Sequence, residues 1–299
     1  MTIGIITVRD DAYHPNRRLK ETAREKGCSL YWINPYHFRS EIVDGKLLIN
    51  GLKAQELPDV VIPRQGALIG DSSLTLINQI QTLGIPLVNG LASILLSRNQ
   101  FLSLQALAAA DIPVLNTVFI NRLESVQPAV EKLGGYPLIA KTVNSYQGKG
   151  VFLINSEKEA DFVVQSSLDR AKGMLIQQFL QPQGRQDVRV FIIGGEITGA
   201  MQLLPREGDF RSNFSLNQQA FEINLTDEMK RIAVKAARTL SLEIAGVDLL
   251  IDIQGRVFVL EVNYSPGFKG LEATTGLNIA EKIIDYAISL KTNLKNHEN

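Results

Sequence analysis

Val247-Asp248-Leu249-Leu250-Ile251-Asp252-Ile253-Gln254-Gly255-Arg256-Val257-Phe258-Val259-Leu260-Glu261-Val262-Asn263 consists of two apolar runs around a polar turn, with two acids and an amide at the end away from the turn. Each run is short, rich in branched residues and bounded by turn formers, the pattern of an antiparallel strand pair. A two-residue loop at Gln254-Gly255 sets Asp248 directly opposite Glu261, and Asn263 shares their face because alternate residues of a strand point the same way. Directly opposed side chains have Cβ atoms about 4.5 to 5.5 Å apart, so three oxygen-bearing groups converge. Two carboxylates so placed repel unless a cation, a shared proton or water lies between them, and Mg²⁺ favours a few such oxygens together with phosphate oxygens. The competing reading is two solvated charges at a sheet end.

Around this hairpin the chain has 299 residues, with 31 Lys plus Arg balanced by 31 Asp plus Glu. That length accommodates two or three packed units. A balanced charge provides no overall field for nucleic acid or an anionic membrane, so neither is expected as a partner. No apolar run approaches the roughly 20 residues of a membrane-spanning helix. Cys28 is the one cysteine, and no basic and apolar leader opens the chain, which together point to the cytoplasm.

The amino-terminal part alternates strand and helix. Residues 3–8 read as a buried strand, Asn16 as the cap of a helix over 16–26, and 30–33 as the next strand, a βαβ start. Strands over 60–62 and 85–88 flank a helix over 72–83, which continues a parallel sheet with helices outside. Residues 42–49, bent at Asp44-Gly45, read as an inserted hairpin. From Pro137 the pattern changes to strand pairs, the mark of an antiparallel α+β region. Thr226 caps a helix that carries Asp227 and Glu228 in its first turn, where acids favour the helix dipole. The units expected are 1–97, 98–174 and 175–290, followed by a flexible tail over 291–299.

Other residues are candidates for chemistry. Lys141 lies in an otherwise apolar strand, and burying an ammonium is costly unless an anion meets it; an edge lysine that snorkels to water is the alternative. The loop 144–150, with two glycines between two strands, is either a hairpin tip that closes over phosphates or an ordinary turn, and it is not a P-loop, which leads from a strand into a helix. Asp209-Phe210-Arg211-Ser212-Asn213 gathers a guanidinium, a hydroxyl and an amide suited to phosphate or carboxylate. Asp187 and Arg189 share a strand face, either as an ion pair or as contacts to ribose or phosphate. His14, His37 and His297 are scattered, with neither zinc spacing nor a base beside a nucleophile.

At this point the residues resemble those of a known family. Val61-Ile62-Pro63-Arg64, the run Gly134-Gly135-Tyr136-Pro137-Leu138-Ile139-Ala140-Lys141, Gly208-Asp209-Phe210-Arg211-Ser212-Asn213, Ala245-Gly246-Val247-Asp248, Glu261-Val262-Asn263-Tyr264-Ser265-Pro266-Gly267 and Thr274-Thr275-Gly276 are similar to the ATP-grasp ligases, most closely the RimK-type α-L-glutamate ligases. The resemblance implies a Rossmann-like α/β pre-ATP-grasp domain followed by an α+β ATP-grasp domain of two subdomains, a lid and a carboxy-terminal subdomain, with nucleotide between their sheets. It implies Asp248, Glu261 and Asn263 as metal ligands for two Mg²⁺ ions, with Mn²⁺ as an alternative. It further implies that Lys141 contacts phosphate, that Gln178 and Phe179 line the adenine site, that Asp187 lies near the nucleotide, and that Arg211, Ser212 and Asn213 bind and act at the transferred phosphate. The partners implied are ATP, a carboxylate acceptor that is a small molecule or a protein C-terminus, and an amino acid amine; relatives are often dimers or tetramers, so a homo-oligomer is one of the open alternatives for the assembly.

The chain departs from that family at several points. Gln100 stands where a lysine is usual, Gln178 where a glutamate is usual, Tyr264 where a small residue is common, and Phe214-Ser215-Leu216-Asn217 replaces a basic, glycine-rich run. Glutamate specificity is therefore not carried over. The function expected is an ATP- and Mg²⁺-dependent carboxylate-amine ligase that works through an acyl phosphate. The alternatives are a nucleotide-binding regulatory module without activity and a transfer enzyme that uses the phosphate differently.

Overall fold

The computed structural model describes residues 1–50, 52, 54–66, 69–146, 149–205, 209–211 and 219–297. The chain opens with β1 (Thr2–Ile6), α1 (His14–Glu25), β2 (Ser29–Ile33), the hairpin β3 (Ser40–Val43) and β4 (Lys46–Ile49), β5 (Val60–Pro63), α2 (Asp71–Thr82) and α3 (Leu91–Ser97). Strands β2-β1-β5 form a parallel sheet in that order, as the alternation of strand and helix leads one to expect. Two details differ from the sequence reading. Residues 85–88 contribute only a single parallel bridge, Val61 to Leu87, rather than a full strand. Asn16 lies inside α1 and is buried, and its Nδ2 donates to the carbonyls of Arg9 at 2.8 Å and Asp10 at 3.1 Å. It ties down the loop before the helix; the helix itself starts with Pro15 in its first turn, where a missing N–H costs nothing.

The second unit comprises α4 (Gln100–Ala109), β6 (Thr117–Ile120), α5 (Val126–Lys132), β7 (Leu138–Tyr146), β8 (Lys149–Ile154), α6 (Glu157–Ser167) and β9 (Met174–Gln178). Its antiparallel sheet runs β6-β9-β7-β8. Because β9 pairs with both β6 and β7, a boundary at 174/175 cuts this sheet, and β9 belongs with the lid rather than with the third unit. Strand β7 has a neighbour on each side, so Lys141 is not on an edge.

The third unit holds β10 (Gln186–Ile193), β11 (Glu196–Leu203), β12 (Ala220–Glu222), α7 (Asp227–Thr239), β13 (Ile244–Ile251), β14 (Val257–Asn263), α8 (Lys269–Thr275) and α9 (Ile279–His297), with sheet order β12-β11-β10-β13-β14. Thr226 caps α7 by accepting from the N–H of Met229. Helix α9 runs on through His297, across most of the stretch expected to be a tail.

The decisive hairpin has the expected facing residues and a different turn. Ile251 pairs with Val257, Leu250 with Phe258 and Leu249 with Val259. This is one residue out of step with a two-residue loop, because the reversal is closed by Asp252 N–H to Arg256 O at 3.1 Å and by three bonds onto Asp252 Oδ1 and O from Gln254, Arg256 and Gly255. Gly255 takes a φ of 79°, which a glycine adopts without strain. Leu260 is then the extra residue of a β-bulge, beyond which Asp248 faces Glu261 and Gly246 faces Asn263.

Side chains of the first sheet and of the large sheet share one core. Ile6, Val61 and Ile94 are in the same buried cluster as Val188, Val247 and Val262. Asn89 ties the two units together: its Nδ2 donates to the carbonyls of Ile244 at 2.8 Å and Tyr264 at 2.7 Å, and its Oδ1 accepts from the N–H groups of Glu243 at 2.7 Å and Ile244 at 2.9 Å. The lid has a separate core around Ile120, Leu138, Ala140 and Ile176.

Candidate nucleotide and metal site

A cavity of about 700 Å³ lies between the inner faces of the lid sheet and the large sheet, and its far end reaches the start of α1. The lid contributes Ile139, Lys141, Val143 and Gln177; the large sheet contributes Arg189, Leu250, Asp248, Glu261 and Asn263; and Tyr13, His14 and Lys269 surround the far end. Its volume is within the range of about 300 to 1,000 Å³ common to ligand sites, and its mixed apolar and charged wall suits a nucleotide base at one place and phosphates at another.

The acidic face is built by β13 and β14. Asn263 Nδ2 donates to Glu261 Oε1 at 2.9 Å and lies 3.4 Å from Asp248 Oδ2, so one amide touches both carboxylates. The loop after β14 can fold back against them because β13 has Gly246 at this point: a Cβ there would come within 2.7 Å of Pro266 Cβ. Burial, reinforced by the Asp248 charge, pushes the Glu261 carboxyl above its ordinary value. Two carboxylates and an amide that crowd together at this cost are a donor set suited to a divalent cation whose remaining positions are filled by phosphate oxygens.

Lys141, only 6% exposed, lines the same cavity and has no ion pair among the described residues. Burial lowers its pKa to about 8, against the pull of Glu261. A buried ammonium beside a cavity, without a direct ion pair among the described residues, fits an anion such as a phosphate. Gln178 and Phe179 line the cavity at the end of β9, and Phe179 meets Phe210 edge to face with ring centroids 6.1 Å apart.

Asp187 and Arg189 do not pair with each other. Asp187, 3% exposed at its side chain, is held by Arg185 through Nε to Oδ1 at 2.8 Å and Nη2 to Oδ2 at 2.9 Å. Arg189 instead reaches across the sheet to Asp248. Arg185, which the sequence reading passed over, also donates to the carbonyls of Leu180 and, at 2.6 Å, of Phe210, so one buried guanidinium joins the end of β9 to the turn at 209–211. In that turn Arg211 forms a fork with Asp209 at 3.0 and 2.9 Å and lies over the Phe210 ring. The structure thus brings together Lys141, Gln178, Phe179, Asp187, Arg211, Asp248, Glu261 and Asn263 around one cavity, whereas Ser212 and Asn213 lie outside the described residues.

Residues 1–94 match the model of the RimK pre-ATP-grasp domain and residues 97–287 that of the RimK-like ATP-grasp domain. A probable alpha-L-glutamate ligase of Teredinibacter turnerae is 34% identical over 288 residues, 96% of this chain and 95% of that protein. The ATP-grasp ligase PsnB, solved with its minimal precursor, superposes with a TM-score of 0.74 at 21% identity over 96% of this chain and 98% of that one. A RimK-domain ATP-grasp protein of Sphaerobacter thermophilus superposes with a TM-score of 0.73 at 20% identity, over 96% of this chain and 100% of that one. These relatives make the chain an ATP-dependent carboxylate-amine ligase, of a family that binds ATP with Mg²⁺. The chain belongs to the RimK-like ATP-grasp family.

Proposed function

We propose that this ligase joins the amino group of an amino acid to the carboxyl group of a small-molecule acid or of a protein C-terminus in the cytoplasm. The observation that carries the reading is the convergence of Asp248, Glu261 and Asn263 in the cavity that also receives the buried Lys141. Asp248, Glu261 and Asn263 would hold two Mg²⁺ ions, which Mn²⁺ can replace. When bound, such ions neutralise charge on the phosphoryl group in transfer.

The residues of the chain bind and align. Gln178 and Phe179 form the adenine wall, Asp187 lies beside the nucleotide, Lys141 meets phosphate oxygens with a charge already desolvated, and Arg211, with Ser212 and Asn213 by the family resemblance alone, is assigned to the phosphate that moves. A carboxylate oxygen of the acceptor attacks the γ-phosphorus, the bond to the bridging oxygen breaks and ADP leaves. The amine nitrogen then attacks the carbonyl carbon of the acyl phosphate, inorganic phosphate leaves and the nitrogen loses a proton. Positioning and charge stabilisation are sufficient for this chemistry, in keeping with the scattered histidines.

The curated relative is named a glutamate ligase and PsnB is solved with a precursor, so glutamate as amine and a peptide-like carboxylate as acceptor are the first substrates to try. The test is ADP formation by purified protein with ATP and Mg²⁺ against pools of amino acids, dipeptides and peptide C-termini. Release that requires both an acid and an amine supports the reading. ATP turnover that ignores both, or none with any pool, contradicts it.

A further inference from the structure

Arg189 on β10 is the direct cross-strand partner of Asp248 on β13. Its Nε donates to Oδ1 at 2.6 Å and its Nη2 to Oδ2 at 2.5 Å, so both carboxylate oxygens are engaged. The two side chains are 15% and 13% exposed, and both line the cavity. The other acid, Glu261, accepts from the Asn263 amide. Both acids read as cation ligands are therefore already engaged by a donor of the chain itself.

Asp248 and Glu261 are balanced by Arg189 and Lys141 in a largely desolvated space, where an added charge is expensive. A divalent cation arriving alone would add two positive charges and compete with a guanidinium for Asp248. A polyphosphate arriving alone would face two acids. Arriving together they restore balance, and an Arg189 fork displaced from one oxyanion has another within the same cavity.

We propose that Arg189 is the internal counterion of the acidic face, given up by Asp248 when a divalent cation takes that carboxylate and taken up by a phosphate or carboxylate of the bound substrates, so that cation and polyphosphate binding depend on each other through this one side chain. The inference rests on Asp248, Glu261 and Asn263 being cation ligands. It makes Arg189 a positioning residue and not merely a sheet ion pair.

The test is Mn²⁺ binding to the full chain without nucleotide, followed by the electron paramagnetic resonance of the free ion, with thermal melting in EDTA as the check on folding. Arg189→Gln is expected to bind Mn²⁺ about tenfold more tightly than the unaltered protein, and the factor by which saturating Mn²⁺ tightens binding of a non-hydrolysable ATP analogue is expected to shrink by about as much, a coupling of ordinary size. A purely structural role would lower the melting temperature and leave that coupling factor unchanged. Equal or weaker Mn²⁺ affinity in a folded Arg189→Gln protein overturns the inference. If that variant does not fold, Arg189→Lys, which keeps the charge and loses the fork, is expected to tighten Mn²⁺ binding by a smaller factor, and equal or weaker affinity there overturns the inference. Asp248→Asn separates the two readings: Mn²⁺ affinity lost in Asp248→Asn but unmoved by Arg189 substitutions sinks only the counterion, whereas affinity indifferent to Asp248 sinks the ligand set as well.

Discussion

Lys141 shows how a single side chain can work against the fold and for the site. Its folded-state pKa of about 8 lies below its ordinary 10.5 because burial disfavours the ammonium. Between those values the unfolded chain binds the extra proton, so stability rises with pH across that window, and below about 8 the cost is fully present. In EDTA and without nucleotide, Lys141→Met is expected to raise stability at pH 7 by about 1 to 3 kcal/mol and to flatten the slope between pH 8 and 10, while weakening ATP binding by about tenfold or more. Urea denaturation of the two proteins at several pH values checks this; an unaltered slope, or a less stable variant at pH 7, would refute the account of Lys141. Arg185 is the opposite case, a guanidinium fully engaged with Asp187 and two carbonyls. Arg185→Met leaves a buried acid alone and is expected to cost about 3 kcal/mol, much of it regained when Asp187→Leu is added, because replacing a whole buried pair is far cheaper than breaking it. A loss under about 1 kcal/mol in urea titration would mean that water reaches the pair.

Between residues and domains, the elements show what could be read from the chain and what could not. The facing of Asp248 and Glu261 was read correctly from a two-residue loop that the structure does not have, because two one-residue departures cancel. The turn was not: Asp252 accepts bonds that lengthen it by one residue, and the Leu260 bulge restores the register. The partners of Arg185 and Arg189 were also hidden, since they depend on which strands are neighbours, and β10 meets β13 only after β11, β12 and α7 have intervened in the chain. For the same reason Lys141 could not be told from an edge lysine until β7 was placed between β8 and β9. Asn89 carried no local signal at all, yet it makes four hydrogen bonds to the start of β13 and to Tyr264. Asn89→Ala should cost about 3 kcal/mol, since buried N–H and C=O groups lose their partners. A melting curve that overlays that of the unaltered protein would show that water replaces them.

At the scale of the whole molecule, the shared core fixes the first unit against the large sheet, while the lid keeps a core of its own. The cavity lies where the two antiparallel sheets face each other, and the amino-terminal unit lines part of it through Tyr13 and His14. On the function proposed, that division puts nucleotide and cation between the sheets and leaves the choice of acceptor to the residues around α1 and α8. It also explains why substrate class was the least legible feature of the chain: Tyr13, His14 and Lys269 come from distant parts of the sequence and become neighbours only in the assembled fold. Among the described residues no helix is long and apolar enough to cross a membrane.

On the same reading, Asp248 and Glu261 would hold the cation that accompanies the phosphates of ATP. The most direct measurement is ADP release by the double variant Asp248→Asn, Glu261→Gln under conditions where the unaltered protein turns over. A fall of about a thousandfold or more is predicted in protein that a melting curve shows to be folded, because the charge on the moving phosphoryl group is then left uncompensated. A folded double variant that hydrolyses ATP and forms amide at the original rate would contradict it.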